Sequence, residues 1–245
     1  LLTEAVGILV ILAVWGGVSL LYPPYIIPSP ADVIAGVSDY LPVDLAHHLI
    51  VTLGRIITGF LIAFVIGTAG GIVTVLTRAD KPVNSLMVAL QVVPGTILGV
   101  IFLLMFGIGN ATPILLVAFL TLPTLAINTV NGLSKRKSTT EGYLRSIHAT
   151  NWQLIRYSYL PALVPVLQSN LSLGMSMAVK VVVLGEFIGS QDGIGYLLNN
   201  ARILFNMREV FFYLLVLMAF SLGFQALHTL VFTVSLKKYA YPEAV

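Results

Sequence analysis

The chain contains stretches without a charged side chain that are too long for the interior of a soluble domain. Residues 82–134, between Lys81 and Lys135, carry no Asp, Glu, Lys or Arg, and the same holds for 5–31, 56–77, 157–179 and 210–236. Crossing a bilayer as a helix takes about 20 apolar residues, because the hydrocarbon core is ~30 Å thick and the helix rises ~1.5 Å per residue. Composition agrees. Of the 245 residues, 58% are hydrophobic and 9% charged, against about 25% charged in a soluble domain. A soluble enzyme, a nucleic-acid binder and a disordered linker are thereby excluded as descriptions of the whole chain. With no cysteine, disulfides, thiolate metal sites and cysteine nucleophiles are excluded as well.

The reading is an all-α, polytopic integral membrane protein with six transmembrane helices in a single permease domain, 1–245. The expected spans are about 5–22, 56–77, 84–106, 113–133, 161–184 and 211–236. The punctuation Gly107-Ile108-Gly109-Asn110-Ala111-Thr112-Pro113 divides the long uncharged stretch into two of them. The first segment lacks a small-residue cleavage pattern after its apolar run, so it reads as a span rather than a signal peptide. With both termini on one side, that side holds Arg78, Lys81, Lys135, Arg136, Lys137, Arg145, Arg156, Lys237 and Lys238, whereas the other holds Arg55, Lys180, Arg202 and Arg208. The positive-inside rule makes the richer side cytoplasmic. Small residues at Gly59, Gly67, Gly70 and Gly71, and at Ser172, Gly174 and Ser176, are expected to let helix backbones approach closely in lipid.

The longest cytoplasmic stretch, 134–160, is not a span. Thr139 or Thr140 is expected to cap a helix with Glu141 in its first turn. Tyr143, Leu144 and Ile147 fall on one helical face, and Asn151 is placed to cap a second short helix beginning at Trp152. Such an amphipathic segment suits either the bilayer interface or a docking surface for another protein.

Few side chains elsewhere invite chemistry. Lys180 near the outer end of the fifth span reads either as a pathway lysine favouring an anionic solute, or as a snorkelling lysine or one paired with Glu186. His47-His48 point about 100° apart on a helix and read as helix-start residues rather than metal ligands. His228 reads as a packing residue, and the amides Gln91, Asn128, Asn170 and Gln225 as path-lining or helix-joining groups. The glycines at 185, 189, 193 and 195 mark an outer loop or half-helix. No Ser, His and carboxylate cluster has the setting of a catalytic site.

Four stretches, in order and spread over most of the chain, resemble the transmembrane permease subunits of bacterial ABC importers, in the branch handling nitrate, sulfonates, taurine and vitamin precursors. They are Ile27-Pro28-Ser29-Pro30 with Val33; His47-His48-Leu49 followed by Thr52-Leu53-Gly54-Arg55, Gly59-Phe60 and Gly67; Pro94 with Phe106-Gly107-Ile108-Gly109; and Leu160-Pro161-Ala162-Leu163 with Pro165. In that family the cytoplasmic loop reads Glu-Ala-Ala, three residues, then Gly, with Leu-Pro further on. Counted back from Pro161, the glycine position falls at His148 and the Glu-Ala-Ala positions at Gly142, Tyr143 and Leu144. Leu90-Gln91 stands where the family usually has Arg-Pro.

The resemblance implies a type I importer permease. Two copies would form the pathway, with two ATP-binding subunits beneath and an extracytoplasmic solute-binding protein above. ATP and Mg would sit on the partner, since this chain has no Gly-rich phosphate loop followed by Lys-Ser/Thr, and no cofactor is expected on the chain itself. The implied coupling residues are Gly142, Tyr143, Leu144, Arg145, Ser146, Ile147, His148, Ala149, Thr150 and Asn151; the implied pathway residues are Gln91, Pro94, Lys180 and Glu186. The expected location is the bacterial inner membrane. The competing reading is a self-contained secondary transporter or channel, for which the nearly uncharged interior and the cytoplasmic helix give little support.

Overall fold

The computed structural model describes residues 2–134 and 138–240, and their regular structure is helical throughout. Lys135, Arg136 and Lys137 lie outside the described residues, as do the side chains of Asn151, Gln225, His228, Lys237 and Lys238. In chain order the helices are α1 (Leu2–Ser19), α2 (Pro30–Ala35), α3 (Val37–Tyr40), α4 (Leu45–Thr77), α5 (Asp80–Gln91), α6 (Gly95–Phe106), α7 (Ala111–Ser134), α8 (Ser138–Ser146), α9 (Asn151–Leu154), α10 (Leu160–Gly189), α11 (Ile194–Ile203) and α12 (Met207–Ala240).

Three long helices, α4, α7 and α10, form the centre. Ile56, Phe60 and Ala63 from α4 interlock with Val117 and Leu125 from α7 and with Ala178, Val179 and Val182 from α10. The approach of α4 to α7 depends on absent side chains. A Cβ at Gly59 would lie 2.8 Å from the Ile114 carbonyl oxygen, and one at Gly67 2.8 Å from that of Leu122. Gly70 meets nothing, so only part of the expected small-residue stripe is used for packing. Asn170 on α10 donates to Thr68 Oγ1 at 3.0 Å and to Thr129 Oγ1 at 2.8 Å, and Asn128 donates to Asn170 Oδ1 at 2.8 Å. These amides join the three helices.

Among the described residues three helices are long and apolar enough to cross a membrane: Leu45–Leu76, Ala111–Ser134 and Trp152–Gly189. A fourth crossing is formed if α5 and α6, bent by 83°, count as one broken span. The break falls at Val92–Pro94, where Pro94 extends the backbone before α6 and offers no N–H to carry α5 onward. The Gly107–Asn110 punctuation separates α6 from α7 as expected, with Gly107 at φ +75° and Gly109 at φ +141°. The second span, however, begins at Leu45 rather than residue 56. Arg55 is therefore not a boundary but lies ten residues inside the helix.

The fifth span also starts early. α9 runs into α10 through a π-helical turn at Ile155–Tyr159, giving a continuous helix from Trp152 to Gly189. The widened turn places the Leu160 N–H on the Ile155 carbonyl, five residues back, just where the Pro161 ring would clash with the Tyr157 carbonyl of a regular helix.

Beside the start of α4, Val33, Leu197, Ala201, Phe212 and Tyr213 gather α2, α11 and α12 into a second cluster, with Trp15 of α1 against it. The Ile27-Pro28-Ser29-Pro30 motif works here as a joint. Trp15 Nε1 donates to the Pro28 carbonyl at 2.9 Å, Pro30 occupies the first helical position, and Ser29 and Asp32 form a capping box. The Ser29 hydroxyl, and then its backbone N–H, hold the Asp32 carboxyl below the usual carboxylate value.

Candidate functional site

Two groups of side chains stand out, one at each end of the long helices. Where the start of α4 meets the end of α10, His48, Thr52 and Arg55 recur at i, i+4 and i+7 and so share one face of α4. All three are buried, Arg55 to 2% exposure. That face meets Glu186 of α10, itself 1% exposed. Arg55 Nη1 donates to Glu186 Oε1 at 2.9 Å and to the Asp192 carbonyl at 2.8 Å. Its Nε and Nη2 donate to Asn110 Oδ1 at 2.9 and 2.6 Å, and Nη2 also pairs with the Asp192 carboxylate. One guanidinium thus ties α4, the turn before α7, the end of α10 and the following loop.

The same group holds the start of α11. The first N–H groups of a helix lack partners within it. Here the Gly193 N–H donates to His48 Nδ1 at 2.9 Å, the Ile194 N–H to Thr52 Oγ1 at 3.0 Å, and the Gly195 N–H to Glu186 Oε2 at 3.0 Å. The Thr52 hydroxyl in turn donates a hydrogen bond to Glu186 Oε1 at 2.9 Å. Gly193 sits at φ +97°, where an added Cβ would collide with the Glu186 carboxylate, so both its conformation and the space around it require glycine.

This network corrects several expectations. Glu186 pairs with Arg55, not with Lys180, and its carboxylate is saturated and buried rather than lining an open path. Lys180 is exposed and makes no ion pair or hydrogen bond among the described residues. His48 caps a distant helix instead of only starting its own. The signal for the cluster was present in the His48, Thr52, Arg55 spacing. Its partners lie more than 130 residues away, which no local pattern reveals. Of the other expected pathway residues, Gln91 is exposed and donates to Thr124 Oγ1 at 3.0 Å, and Pro94 is exposed at the break between α5 and α6.

At the opposite end, around α8 and α9, the side chains are left open. Tyr143 is 66% exposed, Ile147 56% and Trp152 65%, while Leu144 is half-buried. α8 begins at Ser138, so Thr139 and Thr140 lie inside it rather than capping it. Arg145 bonds Glu141 one turn earlier at 2.8 Å, and Ser146 bonds the Tyr143 carbonyl. Gly142, Ser146 and Thr150 are exposed and Ala149 half-buried.

α8 ends in a six-to-one closure. The Ala149 N–H donates to the Leu144 carbonyl at 2.9 Å and the His148 N–H to the Arg145 carbonyl at 3.1 Å, the arrangement that places the intervening residue in the left-handed region. That residue is His148, at φ +55°, the position assigned to the family's glycine. Thr150, not Asn151, caps the next helix: its Oγ1 accepts the Gln153 N–H at 3.3 Å while Gln153 Oε1 accepts the Thr150 N–H at 2.8 Å. Behind this segment a cavity of about 560 Å3 opens between α7, the π turn and α10, with Asn128, Ser158, Pro161 and Ser169 in its wall.

An all-helical scaffold with helices long and apolar enough to cross a membrane, a buried ion-pair cluster at one end and exposed apolar side chains at the other, is that of a helical membrane protein. The profile of the binding-protein-dependent transport system inner membrane component family matches residues 59–233, and the chain belongs to that family.

The riboflavin transport system permease protein RibX of Chloroflexus aurantiacus is 31% identical over 84% of this chain and 78% of its own. The formylaminopyrimidine transport permease protein ThiX of Halalkalibacterium halodurans is 27% identical over 91% and 90%. The taurine transport system permease protein TauC of Escherichia coli is 25% identical over 81% and 76%. Among solved structures, an inward-facing form of the MetNI methionine ABC transporter superposes with a TM-score of 0.65 at 20% identity, covering 76% of this chain and 94% of that one. The chain is thus a permease subunit of a binding-protein-dependent ABC importer, a class that works with an ATP-binding subunit and a solute-binding protein.

Proposed function

We propose that two copies of this chain form the pathway of a type I importer with six crossings per copy, both termini cytoplasmic, and two ATP-binding subunits docked on 138–160. The carrying observation is the open apolar face of Tyr143, Ile147 and Trp152 at the foot of the helix running to Gly189. Exposed apolar side chains of this size on a short polar helix mark a partner surface. The continuous Trp152–Gly189 helix, ~57 Å long at ~1.5 Å per residue, ties that surface to the outer lock. Closure of the ATP-binding subunits would then bias two packings of the membrane helices.

α1, α12 and the broken pair α5–α6 supply the three crossings beyond the central helices. The orientation gains support from Arg55, which is neutralised inside the fold and drops out of the outer charge count. The named relatives are permeases for formylaminopyrimidine, riboflavin and taurine, and this chain is accordingly read as carrying a small solute.

Uptake into vesicles tests the reading. Vesicles holding this chain, its ATP-binding subunit and its binding protein should accumulate the solute only with ATP. Accumulation by this chain alone, without ATP, would identify a self-contained carrier.

A further inference from the structure

We infer that His48 is an acid-sensitive latch: uptake of a proton by its imidazole frees the Asp192–Gly193 peptide and loosens the start of α11. That peptide unit is gripped from two sides. Arg55 Nη1 donates to its carbonyl oxygen, on Asp192, at 2.8 Å, and its N–H, on Gly193, donates to His48 Nδ1 at 2.9 Å. A ring nitrogen that accepts a hydrogen bond carries no proton, so this arrangement needs the neutral ring with its proton on Nε2. Nε2 stands 3.4 Å from an Asp44 carboxylate oxygen, an acceptor for that proton.

A charged imidazole has an N–H at both nitrogens. Its Nδ1 proton would point at the Gly193 N–H, two donors face to face. His48 is buried, and a buried backbone N–H without an acceptor is costly. Gly193, at φ +97°, leaves the released peptide free to turn.

The groups around the ring accommodate a charge. Asp44 and His47 share α4 with it, and His47 Nε2 lies 3.8 Å from Asp192 Oδ2. Tyr196 of α11 stacks on the ring with centroids 6.2 Å apart. Glu186 of α10 takes the neighbouring Gly195 N–H, and Arg55 lies two turns further along α4. Tyr213 and Glu209 of α12 lie beyond Asp44. The carboxylates outnumber the single guanidinium, so an imidazolium meets opposite charge there. Among the described residues, the bond from Gly193 is the contact that a neutral ring makes and a charged ring cannot.

On the proposed orientation the latch faces the extracytoplasmic medium and reads its pH; that part rests on the importer reading, whereas the proton response does not.

Hydrogen exchange of the chain purified with its ATP-binding subunit tests the latch. Protection of the 193–197 amides, relative to their intrinsic exchange at each pH, should fall roughly tenfold between about pH 8 and 5, the interval in which an imidazole changes charge. His48→Asn puts an amide oxygen where Nδ1 stood and takes up no proton, so its protection should stay level. His47→Asn should keep the fall. In the unaltered chain carrying 15N-labelled histidine, a ring should pass from the neutral Nε2–H tautomer to the charged form with the midpoint of the lost protection. A level profile in the unaltered chain, or a fall that persists in His48→Asn, would overturn the latch. A chain that purifies without an ATP-binding subunit would sink the importer reading and still show the response.

Discussion

The two ends of the long helices are built on opposite plans. At the end proposed to be outer, the buried polar groups of one cluster find protein partners: Arg55 meets Glu186, Asp192 and Asn110, and the first N–H groups of α11 meet His48, Thr52 and Glu186. At the cytoplasmic end Tyr143, Ile147 and Trp152 stand open. A site whose bonds are all satisfied internally fixes one packing, and a site with exposed apolar side chains awaits another molecule. The same helix, Trp152–Gly189, reaches both, so a push at one end is opposed by a lock at the other.

Breaking the lock has the largest expected effect. Arg55→Met leaves Glu186 buried without its cation, which costs about 3–5 kcal/mol, and thermal unfolding of the detergent-purified protein should fall accordingly. An unchanged transition would mean that the outer cluster does not hold α11.

The cytoplasmic end should respond in the opposite direction. His148 occupies a left-handed backbone position, which costs a residue with a Cβ roughly 1 kcal/mol. His148→Gly should therefore raise the protection of the α8 amides in hydrogen exchange by severalfold, and a decrease would show that the imidazole itself holds the turn.

The smallest effect concerns the joint at α2. Because the Asp32 carboxyl is held below its ordinary value by Ser29, its contribution is present above the unfolded value near 4 and disappears as pH falls through the folded value. Protection of the 31–35 amides, taken relative to their intrinsic exchange at each pH, should fall on acidification through that range, and Ser29→Ala should remove the dependence. An unaltered pH response in the variant would assign it to another group.

Sequence reading reached the two ends unequally, for physical reasons. The cytoplasmic segment is local: the Tyr143, Leu144 and Ile147 stripe and the Glu141–Arg145 turn are set by residues within one or two helical turns. Its caps were misplaced by a residue or more because Ser138, Thr139, Thr140, Thr150 and Asn151 all have capping side chains, and only the backbone shows which is used. The outer lock is non-local. Arg55 looked like the edge of a span because an unpaired arginine belongs at an interface; its partners at 110, 186 and 192 make it an interior residue. Lys180 and Glu186 looked like a pair because they are near in sequence, whereas α10 turns them to different sides.

On the proposed function, 138–160 receives an ATP-binding subunit through its open apolar face. The direct measurement is co-purification of that subunit with a Tyr143→Ala, Ile147→Ala double variant extracted from membranes. Both side chains are exposed, so the chain itself should keep its stability to within ~0.5 kcal/mol. Loss of two central apolar anchors should cost the contact about 2 kcal/mol or more, roughly thirtyfold in affinity. The account predicts a normally inserted, normally melting chain that comes down without its ATP-binding subunit. A double variant that retains the subunit and imports at the wild-type rate would contradict it.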